Sequence, residues 1–192
     1  MDYFHSIQSF KPERGDLLIS EPYLPDPNFE RTVILLCSHD ENGSFGYVLN
    51  QVSQVVFEDL VKDIEKFKEK IFIGGPVQQD TLHFLHRSEN NAIGGEPIAE
   101  DIIWGGDYNY LLELIKTEKI DAKNFKFFVG YSGWSAGQLE EELAVKSWIV
   151  YKNASTNQIF DIAPDALWKT VLEELGGKFK MISKYPTDPR LN

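Results

Sequence analysis

Thr32-Val33-Ile34-Leu35-Leu36-Cys37 is an unbroken apolar and β-branched run, the pattern of a strand buried on both faces. Asn42-Gly43 follows with residues that tolerate the positive φ angles of a tight turn, and Phe45-Gly46-Tyr47-Val48-Leu49 returns beside the first strand. Upstream, Leu17-Leu18-Ile19-Ser20 reads as a short strand stopped by Glu21-Pro22-Tyr23-Leu24-Pro25-Asp26-Pro27, whose three prolines forbid regular pairing and stiffen the loop.

Phe57, Leu60, Val61, Ile64 and Phe67 recur at helical spacing with charges between them, which predicts an amphipathic helix over 57–68. Ile71-Phe72-Ile73 and Leu82-His83-Phe84-Leu85-His86 follow as strands around a turn at Gly74-Gly75-Pro76. Ile102-Ile103-Trp104 is a further strand, and Asp107 caps a helix running to about Glu118 with Leu111, Leu114 and Ile115 inward. Phe125 to Val129 reads as strand, Gly130 to Gly137 as a glycine-rich turn that also contains Gly133, and Gln138 to Lys146 as helix. Ser147 to Tyr151 is strand-like. Pro164 suits a first helical position, Trp168, Val171, Leu172 and Leu175 form its buried stripe, and Gly176-Gly177 ends that helix.

Strands and helices interleave, yet the hairpin is antiparallel, so the chain reads as one mixed α+β domain over 15–192 behind an N-terminal tail of 1–14. No internal repeat or linker divides it. With 192 residues and 13% aromatic side chains, each worth ~1.5–3 kcal/mol when buried, it can build a core without a disulfide or structural metal. The lone Cys37 fits a reducing compartment, and the absence of a signal-like or membrane-spanning run makes a cytoplasmic location the expectation.

The net charge of -11 is unevenly spread. Residues 1–60 hold ten acids and three bases, residues 89–107 hold five acids and no base, and residues 108–192 balance at eleven of each. Phosphate backbones are gripped by clustered Lys and Arg, so neither acidic segment suits direct binding of nucleic acid.

Gly133-Trp134-Ser135-Ala136-Gly137 fits the G-x-S-x-G pattern of a nucleophile elbow. All four histidines, His5, His39, His83 and His86, precede Ser135, which excludes the α/β-hydrolase chain order. A convergent site with His39 or His83 as base stays open, against a capping box in which Ser135 is the N-cap and Gln138 its partner. Cys37 and His39, two apart on a strand, share a face, which raises a Cys/His nucleophile or half of a metal site. Yet a zinc site needs more ligands, and Cys37 sits in a core-like run. His83 and His86 fall on opposite faces. The acids Glu140-Glu141-Glu142 read as a solvated first helical turn. No cofactor motif emerges, because Gly74-Gly75-Pro76 and Gly105-Gly106 match no phosphate-binding fingerprint. What remains is a polar and aromatic set at turns: Asp26, Glu30 and Arg31 after the proline loop, Asn50 at a strand end, and Tyr131, Trp134 and Gln138 around the glycine turn. These either line a common groove for a protein or small-molecule partner, or do structural work, with Arg31 paired to Asp26.

Four ordered blocks carry a resemblance: Leu18 to Val33 with its Pro-Asp-Pro-Asn-Phe, Gly46-Tyr47-Val48-Leu49-Asn50, Gly74-Gly75-Pro76-Val77, and Gly130-Tyr131-Ser132-Gly133-Trp134-Ser135-Ala136-Gly137-Gln138-Leu139-Glu140. Over about Gly15 to Trp148 the chain resembles the AlgH/YqgE family. That resemblance implies a bacterial cytosolic protein whose bifurcated mixed sheet curls into a pseudo-barrel with flanking helices. It also implies a transcriptional-regulator label and no catalytic residues. Two departures matter. Family members often carry glycine where Ser135 stands, which weakens a serine nucleophile, and the family's Arg-Pro after the asparagine is replaced by Gln51-Val52, which removes a basic group beside Asn50. The resulting expectation is a non-catalytic binding or regulatory protein, acting on transcription indirectly, with direct DNA binding and a Ser135 hydrolase as the alternatives.

Overall fold

The computed structural model describes residues 11–187. Most of the expected tail, 1–10, lies outside the described residues. Of the rest, Lys11 accepts a hydrogen bond from Lys152, and Arg14 donates to the Cys37 carbonyl and pairs with Glu96.

Among the described residues ten strands form one sheet: β1 (Leu17–Ser20), β2 (Val33–Asp40), β3 (Gly43–Val48), β4 (Val52–Val56), β5 (Lys70–Ile73), β6 (Val77–Arg87), β7 (Glu96–Ala99), β8 (Ile102–Trp104), β9 (Phe125–Ser135) and β10 (Trp148–Tyr151). The main path runs β10-β1-β2-β3-β9-β6-β8-β7, every pair antiparallel. The sheet forks at β9. One edge of β9 pairs with β6, while the other pairs with β3 through Ser132–Ser135 and with β5, in parallel, through Phe127–Val129. β4 completes the second prong beside β5. Gly74 sits at the fork, where its carbonyl accepts from the Val48 N–H and the Ser132 hydroxyl while its N–H donates to Val129. A Cβ there would lie 2.4 Å from the Gly130 carbonyl oxygen, so only glycine permits the approach.

Five α-helices among the described residues flank the sheet: α1 (Phe57–Leu60), α2 (Tyr108–Lys116), α3 (Gln138–Ala144), α4 (Pro164–Leu175) and α5 (Gly177–Ile182). α4 starts on Pro164 as expected and buries Leu167, Trp168, Val171 and Leu172 against Leu17, Ile19, Leu35 and Phe128 inside the curl of the sheet. α1 and α2 cover Phe84, Phe125 and Phe127 on the opposite face of the β5–β9–β6 prong, and α3 covers Leu36, Trp134 and Trp148. The curl brings Gly15 against Ile98 and Ala99, but β10 and β7 do not pair, so the sheet stays open and the pseudo-barrel closure implied by the resemblance is not completed.

Several expectations are corrected. The amphipathic helix over 57–68 is a single turn, because Asp63 and Lys66 adopt φ of 61° and 62°, which an α-helix cannot contain. Ile64 and Phe67 still point inward, so the apolar spacing reports the core without the helix. The Gly130–Gly137 turn is strand as far as Ser135. Gly130, at φ 66°, is an irregularity in β9 rather than its end, and Gly133 pairs with Phe45. The two-residue hairpin loop is Glu41-Asn42, one position early, since Gly43 already pairs with Asp40. A register shift between Leu36 and Ser38 breaks the alternation that would have put Cys37 and His39 on one face. Cys37 enters the central core and His39 lies beside Glu140 of α3. β4, β7 and α5 were not anticipated.

Candidate functional site

The β2–β3 hairpin, β6, β8 and β9 leave a cleft of about 660 Å³. Its walls are aromatic. Phe45 and Tyr47, two apart on β3, share a face. The Phe45 ring meets Trp104 at 5.0 Å and Tyr131 at 6.2 Å between centroids, and Tyr47 meets His83 at 5.4 Å. Ser38, Asp40, Asn42 and Ser44 supply polar groups from the hairpin, and Gly43, Val77 and Gly133 complete the lining with Trp134. Among the described residues that line it there is no Lys or Arg.

Burial lowers the pKa of His83 and raises that of the Tyr47 phenol, so both are neutral near pH 7. The Thr81 hydroxyl gives its proton to the Gln78 carbonyl at 2.7 Å and lies 2.8 Å from His83 Nε2. A neutral imidazole must therefore donate from Nε2, which leaves Nδ1 as an acceptor. The cleft thus offers aromatic surface and a carboxylate.

The residues picked out at turns fall in two places. Tyr131 and Trp134 line the cleft. The Trp134 indole donates to Glu142 at 2.8 Å, the Trp148 indole donates to the same oxygen at 2.7 Å, and Gln138 donates to the other oxygen at 3.0 Å. Glu142, which reads in sequence as a solvated acid, is the acceptor that organises this corner. Asp26, Arg31 and Asn50 stand at the proline loop instead. Asp26 caps the short 3-10 turn Pro27–Phe29 by accepting from the Asn28 N–H. Asn50 clamps the strand entry, accepting from Val33 and donating to the Arg31 carbonyl. Arg31 does not pair with Asp26. Its guanidinium lies 4.6 Å above the Trp168 ring and donates to the carbonyls of Tyr185 and Pro186, both at 2.6 Å. Phe29 against Trp148, and Trp148 against Trp134, form the aromatic chain between the two places.

Ser135 is engaged with Gln138, whose side-chain oxygen accepts from both the Ser135 N–H and hydroxyl at 3.0 and 3.1 Å. Half of the expected capping box is thereby present, but the helix begins later, on Gly137 as N-cap at φ 79°. His39 bonds the Ser44 hydroxyl at 2.7 Å and His83 the Thr81 hydroxyl at 2.8 Å, while the Ser135 hydroxyl is held by Gln138. His86 lies on the opposite face from His83, fully buried, with each ring nitrogen 2.9 Å from a carbonyl oxygen, of Arg87 and Gly94. Burial pushes the Cys37 thiol far up, which removes it as a nucleophile. Lys126, 6% exposed, has its amine 3.1 Å from the Ile159 carbonyl and 3.9 Å from the Phe72 ring, and burial brings its pKa down to about 7. No helix among the described residues is long and apolar enough to cross a membrane.

Sequence reasoning missed Phe45, Trp104 and Asp40 as cleft residues. The alternation of Phe45 and Tyr47 was visible, but nothing local shows that β8 delivers Trp104 to the same place.

The model of AlgH-like proteins (DUF179) matches residues 17–180. The chain belongs to the AlgH-like family. A UPF0301 protein of Cytophaga hutchinsonii is 42% identical over 180 residues, covering 93% of this chain and 98% of that one. A UPF0301 protein of Parabacteroides distasonis is 39% identical over 184 residues, covering 94% and 92%. Among solved structures, AlgH from Pseudomonas aeruginosa superposes with a TM-score of 0.70 at 25% identity, covering 92% of this chain and 98% of its own. Protein DIP2367 from Corynebacterium diphtheriae reaches a TM-score of 0.76 at 20% identity, over 92% and 94%, a likeness of fold. The AlgH-like fold is thus shared by chains that differ at most positions.

Proposed function

We propose that this AlgH-like protein is a non-catalytic cytoplasmic binding protein, which takes a small organic molecule into the cleft between the hairpin and β6, β8 and β9. The observation that supports this most is the cleft itself: about 660 Å³, within the size range of small-molecule sites, with five aromatic side chains in its walls and a few polar groups from the hairpin. The engagement of Ser135 by Gln138, and of His39 by Ser44, argues for a structural role of the elbow-like sequence. Any effect on transcription passes through a protein that recognises the bound form.

Screening a library of small organic molecules by NMR, read on the Trp104 indole resonance, tests the reading. Binders that shift Trp104 and that lose affinity in Phe45→Ala support it. A library in which no compound perturbs Trp104 refutes it. A gel shift at low salt is expected to show no retardation of DNA at micromolar protein.

A further inference from the structure

The cleft lies where the two acidic segments of the chain meet. Asp40, Asn42, Phe45 and Tyr47 come from the first, with its balance of -7, and Trp104 comes from 89–107, with its balance of -5. The contact between Phe45 and Trp104 joins them. An anionic ligand would meet a carboxylate and no cation among the described lining residues. A neutral apolar ligand would leave Asp40 unused.

We infer that the ligand is an organic cation, an alkylated or quaternary ammonium group held against the rings of Phe45, Trp104 and Tyr131 with Asp40 as its counter-charge. This rests on the cleft being a binding site and names the class of molecule it takes. The π faces of aromatic rings attract a cation through their quadrupole, most strongly for Trp and Tyr, and the attraction grows as the cation sheds water. Two of the three rings here are Trp and Tyr. An ammonium bearing methyl groups is weakly hydrated and gains apolar contact with the same walls. Asp40 sits exposed at the hairpin end of β2, so it steers a cation inward and stays hydrated. Its Oδ1 also accepts from the Asn42 N–H at 2.7 Å, a bond that an asparagine at this position keeps.

The test compares choline with the neutral alcohol in which a tert-butyl group replaces the trimethylammonium, titrated into the full chain and followed by NMR at Trp104 and Tyr131. Choline is expected to bind about fivefold or more tighter than its neutral isostere, as rings around a partly desolvated cation should give. Asp40→Asn is expected to weaken choline severalfold and leave the alcohol unchanged. Equal or tighter binding of the alcohol at these resonances overturns the cation while the cleft remains a binding site. Shifts confined to residues outside the cleft overturn both, as does silence from both compounds and from the wider library.

Discussion

Trp134 and Trp148 donate their indole N–H groups to one oxygen of Glu142, 2.8 and 2.7 Å away, with their rings edge-on at 5.9 Å. A single carboxylate therefore ties β9 and β10 to α3. Glu142→Ala leaves two nearly buried donors unpaired, and unmade hydrogen bonds of this kind cost about 1–3 kcal/mol each. We expect a loss of about 2–5 kcal/mol in urea unfolding, with Glu142→Gln losing less because its amide oxygen still accepts. Equal losses in the two variants would show that acceptance by the carboxylate oxygen is not what matters.

The glycines divide by what surrounds them. A Cβ on Gly75 would fall 2.3 Å from the Tyr131 backbone, where no side chain can give way, whereas Gly137 faces open space at φ 79°. Gly75→Ala should abolish folding or cost more than about 4 kcal/mol. Gly137→Ala should cost roughly 1 kcal/mol from its left-handed backbone alone. Soluble yield and thermal unfolding of the two proteins decide this.

Lys126 gives the protein a pH signature. Its pKa is about 7 when folded against 10.5 as the ordinary value, so from pH 7 upward the unfolded chain holds the proton more firmly and folding grows more favourable. Below pH 7 both states are protonated and the penalty is at its full size. Between pH 7 and 8.5 the wild type should gain up to about 2 kcal/mol relative to Lys126→Met, at 1.36 kcal/mol per pH unit. Parallel pH profiles of the two proteins, measured by chemical unfolding below the range where Cys37 and Tyr47 ionise in the unfolded chain, would contradict the assignment.

Arg31 and Tyr23 hold the segment after α5 onto the proline loop, Arg31 through the Tyr185 and Pro186 carbonyls and Tyr23 by donating to Pro186 at 3.1 Å. Arg31→Gln loses the charge over Trp168 and much of the reach. Limited proteolysis should then cut first around Tyr185 and Pro186 while the sheet stays protected. Unchanged cleavage kinetics would assign the latch to Tyr23.

The hairpin, the β1 strand and α4 are legible in sequence because each is set by neighbours: an apolar run, a turn dipeptide, a proline at N1 with a periodic stripe. The stretch 57–68 shows the limit of that reasoning. Its inward positions are right and its backbone is wrong, since 3.6-residue spacing says which side chains are buried and not which φ angles link them. The same holds for β9, where Gly130 looks like a terminator because the strand that needs its missing side chain, at Gly75 and Val77, is more than 50 residues away. In the candidate site, Tyr131 and Trp134 could be chosen from their motif. The parts supplied by Phe45, Trp104 and Asp40 depend on strand pairings no local pattern encodes, while Asn50 is taken up by Val33 and Arg31 and the Arg31 guanidinium by Trp168, Tyr185 and Pro186, which come more than 130 residues later.

Because β9 serves both prongs of the sheet, assembly of the domain has an order imposed by the direction of synthesis. The β2–β3 hairpin and β5 with β6 leave the ribosome well before residue 135, and until then each lacks the strand that completes it. Exposed strand edges in such intermediates invite pairing with other chains. The nascent protein is therefore most vulnerable to aggregation, and most dependent on chaperones, while roughly its first two-thirds are made. A chain truncated after α2 should be insoluble, whereas one that includes β9 and α4 has every strand of the central path in place.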